Sequence, residues 1–171
     1  LIDVVFALLG LIILSPIFLI VFVILKIDSP ASPAFFKQER VGRYGKPFAI
    51  YKFRSMVPNA EAILKADPEL YQKYVDNGYK LPKKEDPRIT SLGAFLRRSS
   101  IDELPQFWNM LRGDMSLVGP RPIVTEELKE YGDQVDLFLS VRPGALGLWQ
   151  ASGRSLIEYP ERTKIELEYV A

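Results

Sequence analysis

Two adjacent carboxylates, Asp102 and Glu103, are the side chains best placed to do chemistry. They sit in Arg97-Arg98-Ser99-Ser100-Ile101-Asp102-Glu103-Leu104-Pro105-Gln106, upstream of a rigid Gly119-Pro120-Arg121-Pro122 turn. A carboxylate can attack a phosphoryl centre to give an acyl phosphate, splitting one hard displacement into two easier ones. Nearby cations or a divalent metal must then offset repulsion between carboxylate and phosphate, and Arg97 and Arg121 flank the pair in sequence. A glycosidase pair instead brackets its bond at about 5 Å or more, which neighbours in sequence rarely achieve. The chain has no His and no Cys, so Ser-His, Cys-His and His-ligated metal chemistry are excluded. No phosphate-cradling Gly-rich loop is present. Anion recognition must therefore come from Arg and Lys side chains and from helix N-termini.

A blander reading of the carboxylates is capping. Ser100-x-x-Glu103 has capping-box spacing and would open a helix near Ile101. Pro105 conflicts with that entry, and a helix could instead begin at Pro105, where the missing N–H costs nothing. Either way, Asp102 and Glu103 fall near a helix N-terminus, which favours negative charge. Gly113 is a plausible stop.

The elements that must position this stretch read as follows. Val4 to Leu25 carries no charged residue, about 22 residues or roughly 33 Å of straight helix, enough to cross a hydrocarbon core. It is too long for a signal peptide's apolar region and too apolar all round for the core helix of a small domain, so it is expected to embed in a membrane. Ser15-Pro16 interrupts it. A proline there either kinks a spanning helix or breaks it into a helix that dips in and returns to the same face. Lys26, Lys37, Arg40, Arg43 and Lys46 place the downstream flank on the cytoplasmic side. Residues 34–41 and 47–54 read as two strands joined at Gly42-Arg43-Tyr44-Gly45, a hairpin, with Phe48 and Ile50 on one face and Tyr51 and Phe53 on the other. Asn59 to Tyr74 reads as one amphipathic helix with Ala62, Ile63, Ala66, Leu70 and Tyr74 in a stripe. Ser91 to Arg98 reads as a short helix. Phe107, Trp108, Met110 and Leu111 suit either a core or a bilayer interface. Thr125 is expected to cap a helix, Val135 to Val141 to form another, residues 148–151 to be extended, and Tyr159-Pro160 to open the last helix.

Lys and Arg number 22 against 21 Asp and Glu, a net charge of +1, which predicts no nucleic-acid partner. The basic residues instead recur beside Gly, Pro and aromatics, as local anion sites would. The chain begins at Leu1 without Met and ends inside an expected helix, which reads as a fragment with a truncated C-terminus.

One ordered set of motifs runs through the chain. It comprises the apolar run broken by Ser15-Pro16, Gln38-x-Arg40-x-Gly42, Tyr51-Lys52-Phe53-Arg54-Ser55-Met56 and Asp86-Pro87-Arg88-Ile89-Thr90. There follow Ser100-Ile101-Asp102-Glu103-Leu104-Pro105-Gln106, Arg112-Gly113-Asp114-Met115-Ser116-Leu117-Val118-Gly119-Pro120-Arg121-Pro122, Arg142-Pro143-Gly144 and Trp149-Gln150-x-Ser152-Gly153-Arg154. On these motifs the chain resembles the bacterial sugar transferase family, the monotopic polyprenyl-phosphate phosphoglycosyl transferases. The stretch between Met56 and Asp86 resembles the undecaprenyl-phosphate galactose or glucose phosphotransferases. That likeness implies an α+β, mostly helical fold. A re-entrant membrane helix over residues 1–27, broken at Ser15 and Pro16, would precede a small cytoplasmic catalytic domain over residues 28–171 with a short β-hairpin and interfacial amphipathic helices.

The resemblance further implies transfer of a sugar 1-phosphate from a UDP-sugar to undecaprenyl phosphate at the cytoplasmic face of the bacterial inner membrane. The product would start O-antigen, capsule or exopolysaccharide assembly. Asp102 would be the nucleophile and would help hold Mg²⁺. Glu103 would act as general base, though the lipid phosphate is already largely ionised, so positioning weighs more. Arg121 matches the family's phosphate-binding arginine. Lys52, Arg54, Arg88, Arg97 and Arg154 fall in its motifs, on substrate phosphates or in local structure. The long-form subgroup is expected to form homodimers. A competing reading from another class is a membrane-anchored module that binds anionic lipid without chemistry.

Overall fold

The computed structural model describes residues 2–79, 81–82, 85–148, 157 and 159–171. Its elements are α-helical for the most part, with two small sheets, an α+β fold. The apolar run forms α1 (Ile2–Ile13) and α2 (Ser15–Asp28), bent by 60° at the break between them. Pro16 lies in the first turn of α2, where its missing N–H would have had no intrahelical acceptor. No single helix among the described residues is long and apolar enough to cross a membrane, but this bent pair is when taken together. Both helices present large apolar side chains outward, including Leu9, Ile12, Leu19 and Ile20.

Strands β1 (Phe35–Val41) and β2 (Pro47–Phe53) pair around a tight 3-10 turn at Arg43–Gly45, as the glycine-bounded turn predicted. Helices α3 (Ala60–Ala66) and α4 (Pro68–Asp76) replace the single helix expected over residues 59–74. The break follows from Asp67-Pro68. Pro68 starts the new helix, and the Asp67 carboxylate accepts the Leu70 N–H at 3.0 Å, a side-chain N-cap. Helix α5 (Ser91–Ser99) is opened by Thr90, whose hydroxyl accepts the Gly93 N–H. A Cβ on Gly93 would lie 1.8 Å from the Ser55 carbonyl oxygen, so only glycine lets α5 lie this close to the chain after β2. Helix α6 (Gln106–Arg112) begins after Pro105. Strands β3 (Ser116–Val118) and β4 (Gly144–Leu146) form a parallel pair that the sequence had not suggested. A 3-10 segment over Thr125–Gln134, α7 (Val135–Leu139) and α8 (Glu161–Val170) follow among the described residues. Thr125 is exposed and caps nothing. The Glu127 carboxylate takes that place by accepting the Val124 N–H at 3.2 Å.

The chain divides into two compact units that interleave along the sequence. The first comprises residues 1–13, 37–50 and 106–171. One of its cores gathers Ala7, Ile50, Met110 and Met115, and another gathers Ile123, Tyr131, Phe138 and Leu167. The second comprises residues 14–36 and 51–105. It is built on Val21, Leu25, Ala34, Phe53 and Leu96, with the Phe53 ring stacked on Phe35 at 5.1 Å. Ile50 and Phe53 are each almost wholly buried, and full burial of such a side chain stabilises by about 1.5–3 kcal/mol.

Candidate active site

In the second unit, α5 ends at Ser100, which takes the left-handed conformation at φ 59°. That conformation is uncommon for a residue other than glycine. It stops the helix and turns the chain into a single 3-10 turn, Ile101–Glu103. The capping box does not form, since no Ser100 side-chain cap bond is made. Of the two helix entries the sequence allowed, the one at Pro105 is adopted.

The turn places the two carboxylates in unlike surroundings. Asp102 is 5 % exposed. Burial pushes its carboxyl up from the ordinary value and Glu103 pushes the same way, while Lys52 and Arg97 pull it back down. Glu103 is half-buried, and its Oε1 accepts from Lys52 Nζ at 2.6 Å. Lys52 reaches it from β2, and Arg97 comes from the last turn of α5. Four residues that the sequence singled out, Lys52, Arg97, Asp102 and Glu103, are thus brought together. A carboxyl held this way is harder to ionise than a solvated one, and once ionised it is poorly solvated. That combination suits a nucleophile.

Arg54 and Arg88 have local partners instead. The Arg54 guanidinium donates to the Leu25 carbonyl and the Pro33 carbonyl, each at 2.9 Å, and lies 3.6 Å from Asp28. It thereby closes the C-terminus of α2, where a cation is favoured. Arg88 grips Asp86 through two bonds of 2.7 and 2.8 Å and lies over the Tyr74 ring. Burial alone would push the Asp86 carboxyl up, but the Arg88 side chain and N–H outweigh it and hold it below its ordinary range. Of the two roles the motifs allowed, local structure is the one this geometry supplies. Breaking such a buried pair leaves one charge uncompensated. Arg88→Ala is accordingly expected to lower unfolding stability by about 3–5 kcal/mol, read from a denaturant or thermal melt in detergent. A loss below about 1 kcal/mol, the range of an exposed pair, would contradict the pairing.

Arg121 lies in the first unit, half-buried in the Gly119-Pro120-Arg121-Pro122 turn, with its N–H bonded to Glu166 Oε1 at 3.1 Å. Arg154, and most of the piece expected to be extended over residues 148–151, lie outside the described residues. The sequence reading missed Glu127, Arg162 and Glu166, a buried charged cluster behind this turn. Burial works against the Arg162 charge, but Glu166 and Glu127 outweigh it and keep its pKa above the ordinary value. The available signal was Arg162, Thr163 and Glu166 on one face of the last helix, but charge on its other faces hid which side is buried. Asp3 was also missed. At the start of α1, its carboxylate accepts from the Leu117 N–H and the Ser116 hydroxyl, both at 2.9 Å.

Comparison with known proteins bears on the whole chain. The chain is 47% identical over 171 residues to the undecaprenyl-phosphate galactose phosphotransferase of Salmonella typhimurium, covering 98% of this chain and 35% of that protein. It is 35% identical over 176 residues to the UDP-glucose:undecaprenyl-phosphate glucose-1-phosphate transferase of Escherichia coli, again covering 98% of this chain and 35% of that one. It is 42% identical over 172 residues to the exopolysaccharide production protein ExoY of Sinorhizobium fredii, covering 98% and 74%. The chain therefore spans about a third of the length of the first two relatives. The sequence model described as bacterial sugar transferase matches residues 1–171, and with these identities it shows that the chain belongs to the bacterial sugar transferase family.

Proposed function

We propose that this chain is the catalytic part of a phosphoglycosyl transferase that moves a sugar 1-phosphate from a UDP-sugar to undecaprenyl phosphate through an aspartyl intermediate. The observation that carries the reading is the buried Asp102 carboxyl beside the Lys52–Glu103 pair and Arg97, in a chain whose relatives carry undecaprenyl-phosphate transferase names. In the first step an Asp102 oxygen attacks the sugar-bearing phosphorus. The bond from that phosphorus to the bridging oxygen breaks, and UMP leaves with the electron pair. In the second step an oxygen of undecaprenyl phosphate attacks the same phosphorus, and the Asp102 carboxylate is released as the leaving group. Lys52 holds Glu103 beside the nucleophile, and Arg97 contributes positive charge toward the donor's phosphates.

Mg²⁺ fits this donor chemistry. Such an ion is usually held by one or two carboxylates together with substrate phosphates. Asp102 would supply the protein's share, and the ion would offset charge on the diphosphate. Membrane attachment through α1 and α2 is part of the same proposal. In this reading the chain after α2 lies on one side of the bilayer; among the described residues no other helix, alone or as a bent pair, is long and apolar enough to cross it. The Asp3 contacts with Ser116 and Leu117 require the start of α1 on that side too. This supports a re-entrant helix pair over a spanning one. In this reading Asp102 would lie at the cytoplasmic face, where the acceptor's phosphate is held at the interface.

The test is incubation of the protein with a panel of UDP-sugars and no lipid. UMP should appear in an amount close to that of the enzyme, and turnover should follow when undecaprenyl phosphate is added. No UMP from any sugar nucleotide, with retained binding to anionic vesicles, would favour the non-catalytic lipid-binding module. The sugar that gives UMP fastest identifies the donor.

A further inference from the structure

Within the second unit, α2 and α5 flank a trough of about 250 Å³, and every side chain that lines it is apolar. Helix α2 supplies Ile17, Ile20, Val21 and Ile24, the spacing of one helical face. Helix α5 supplies Leu92, Phe95 and Leu96 in the same rhythm. Val21 and Leu96 are buried and belong to the core of this unit, so they form a fixed floor. Ile20 and Phe95 are 57 % and 50 % exposed and form the rims. Ile101 also lines the trough, and it opens the 3-10 turn whose next residue is Asp102. The trough therefore reaches the turn that carries the proposed nucleophile.

A membrane around α2 accounts for an apolar stripe on that helix. It does not account for Phe95, because α5 lies outside the apolar run and carries Arg97 and Arg98 in its last turn. An occupant that fits here has an apolar stem and an anionic head. The stem meets only hydrocarbon side chains. The head meets the turn at Ile101–Glu103, where Lys52 pairs with Glu103 at 2.6 Å and Arg97 brings further positive charge to Asp102. A phospholipid shares this chemistry in outline, but only the acceptor has to bring its own phosphate to the phosphorus held on Asp102.

Size limits how much of that acceptor is held. A site that encloses a whole drug-sized ligand measures roughly 300–1,000 Å³, and this trough is smaller. It takes a short part of a polyprenyl chain and leaves the rest to the bilayer.

We propose that the trough between α2 and α5 seats the isoprene units of undecaprenyl phosphate nearest its phosphate, with Phe95 as a wall that makes the acceptor's KM depend on those units alone. The proposal rests on the transferase reading and gives its second step a binding site.

The experiment compares Phe95→Ala, Phe95→Leu and Leu19→Ala with the parent in mixed micelles. Leu19 is 64 % exposed on α2 and does not line the trough, so its variant controls for loss of apolar surface in general. UMP release is measured first without lipid and then against undecaprenyl phosphate concentration, with melting temperature alongside. Phe95→Ala is expected to raise the KM for undecaprenyl phosphate about tenfold, the scale of lost apolar contact in a pocket. Phe95→Leu should recover most of that, and Leu19→Ala should stay within about twofold of the parent. The lipid-free UMP burst should keep its parental rate in all three. Geranylgeranyl phosphate, which carries only the units near the phosphate, should show the same penalty in Phe95→Ala. An unchanged KM in Phe95→Ala, an equal rise in Leu19→Ala, a slowed lipid-free burst, or a penalty confined to the long acceptor would overturn the proposal.

A second readout needs no turnover. Farnesyl phosphate with a benzophenone in place of its last isoprene unit is photolysed with the parent protein, and the labelled peptide is located by mass spectrometry. Label is expected within residues 17–24 or 91–101, displaced by undecaprenyl phosphate and not by phosphatidylglycerol. Label elsewhere, or displacement by both lipids alike, would overturn the proposal, the latter making the trough a seat for bulk lipid. The expected labelling without UMP from any UDP-sugar would instead sink the transferase reading, while the polyprenyl seat would stand.

Discussion

Asp102→Asn is expected to abolish UMP release from a UDP-sugar and, at neutral pH, to raise the melting temperature of the protein. The first effect follows from the chemistry, because an amide cannot form the acyl phosphate. The loss should exceed about 10³-fold and should not be recovered at high substrate. The second follows from burial. The Asp102 carboxyl titrates higher in the fold than in the unfolded chain, so folding takes up a proton between the two values. Its contribution to stability is fully present below the unfolded value and is lost as pH rises through the raised one. As pH rises through that raised value the parent comes to hold an ionised group where charge is disfavoured, and Asn removes that burden. The melting-temperature gap between variant and parent should be widest at neutral pH and shrink on acidification. The same shift places the acid limb of UMP release above the ordinary carboxylate range. A variant less stable than the parent at pH 7 would show that the Asp102 charge is compensated in the fold and would remove the physical basis for its activation.

Arg121→Ala carries the second-largest expected effect, on the family resemblance that makes Arg121 a phosphate ligand. A guanidinium binds a phosphate through two parallel charge-assisted bonds, a geometry an ammonium cannot reproduce. Removing one such group from a site that stabilises developing charge costs about 10²–10³-fold, or roughly 2.7–4 kcal/mol. The loss should fall on kcat/KM, and Arg121→Lys should recover only part of it. Folding should barely change. Arg121 is half-buried, and Ala retains the backbone N–H that Glu166 accepts and the backbone bonds of the turn on either side of it. A melting temperature that falls in step with activity would reassign Arg121 to structure.

The hairpin and the helix break were legible because their signals are local. Gly42-Arg-Tyr-Gly45 between apolar alternations leaves few other folds, and Ser15-Pro16 removes a backbone donor whatever surrounds it. Asp67-Pro68 carried an equally local signal, yet the stripe of Ala62, Ile63, Ala66, Leu70 and Tyr74 keeps a helical period across it and hid the break. The β3–β4 pair was illegible for another reason. Each strand has three residues, too few to alternate, and their meeting depends on Gly119 and Gly144 approaching closely. A Cβ on Gly144 would lie 2.1 Å from the Gly119 nitrogen.

At the site, residue types were readable and burial was not. An Asp-Glu pair before a helix reads alike whether solvated or enclosed. Only the fold shows Asp102 enclosed and Glu103 paired to Lys52. The basic motifs allowed substrate phosphates or local structure for Arg54 and Arg88, and in the fold a helix end and a carboxylate two residues away hold their guanidinium groups. The Glu127–Arg162–Glu166 cluster was hidden because charged residues spread around a helix do not reveal which face is covered.

The central claim is that Asp102 becomes transiently esterified to a sugar phosphate. Rapid acid quench of the protein with saturating UDP-sugar and no lipid acceptor, followed by peptide mass spectrometry, measures this directly. The predicted result is a sugar-phosphate mass increment on the peptide containing Asp102, absent in Asp102→Asn and discharged by undecaprenyl phosphate. An increment on another residue, or UMP release with no increment anywhere, would contradict it.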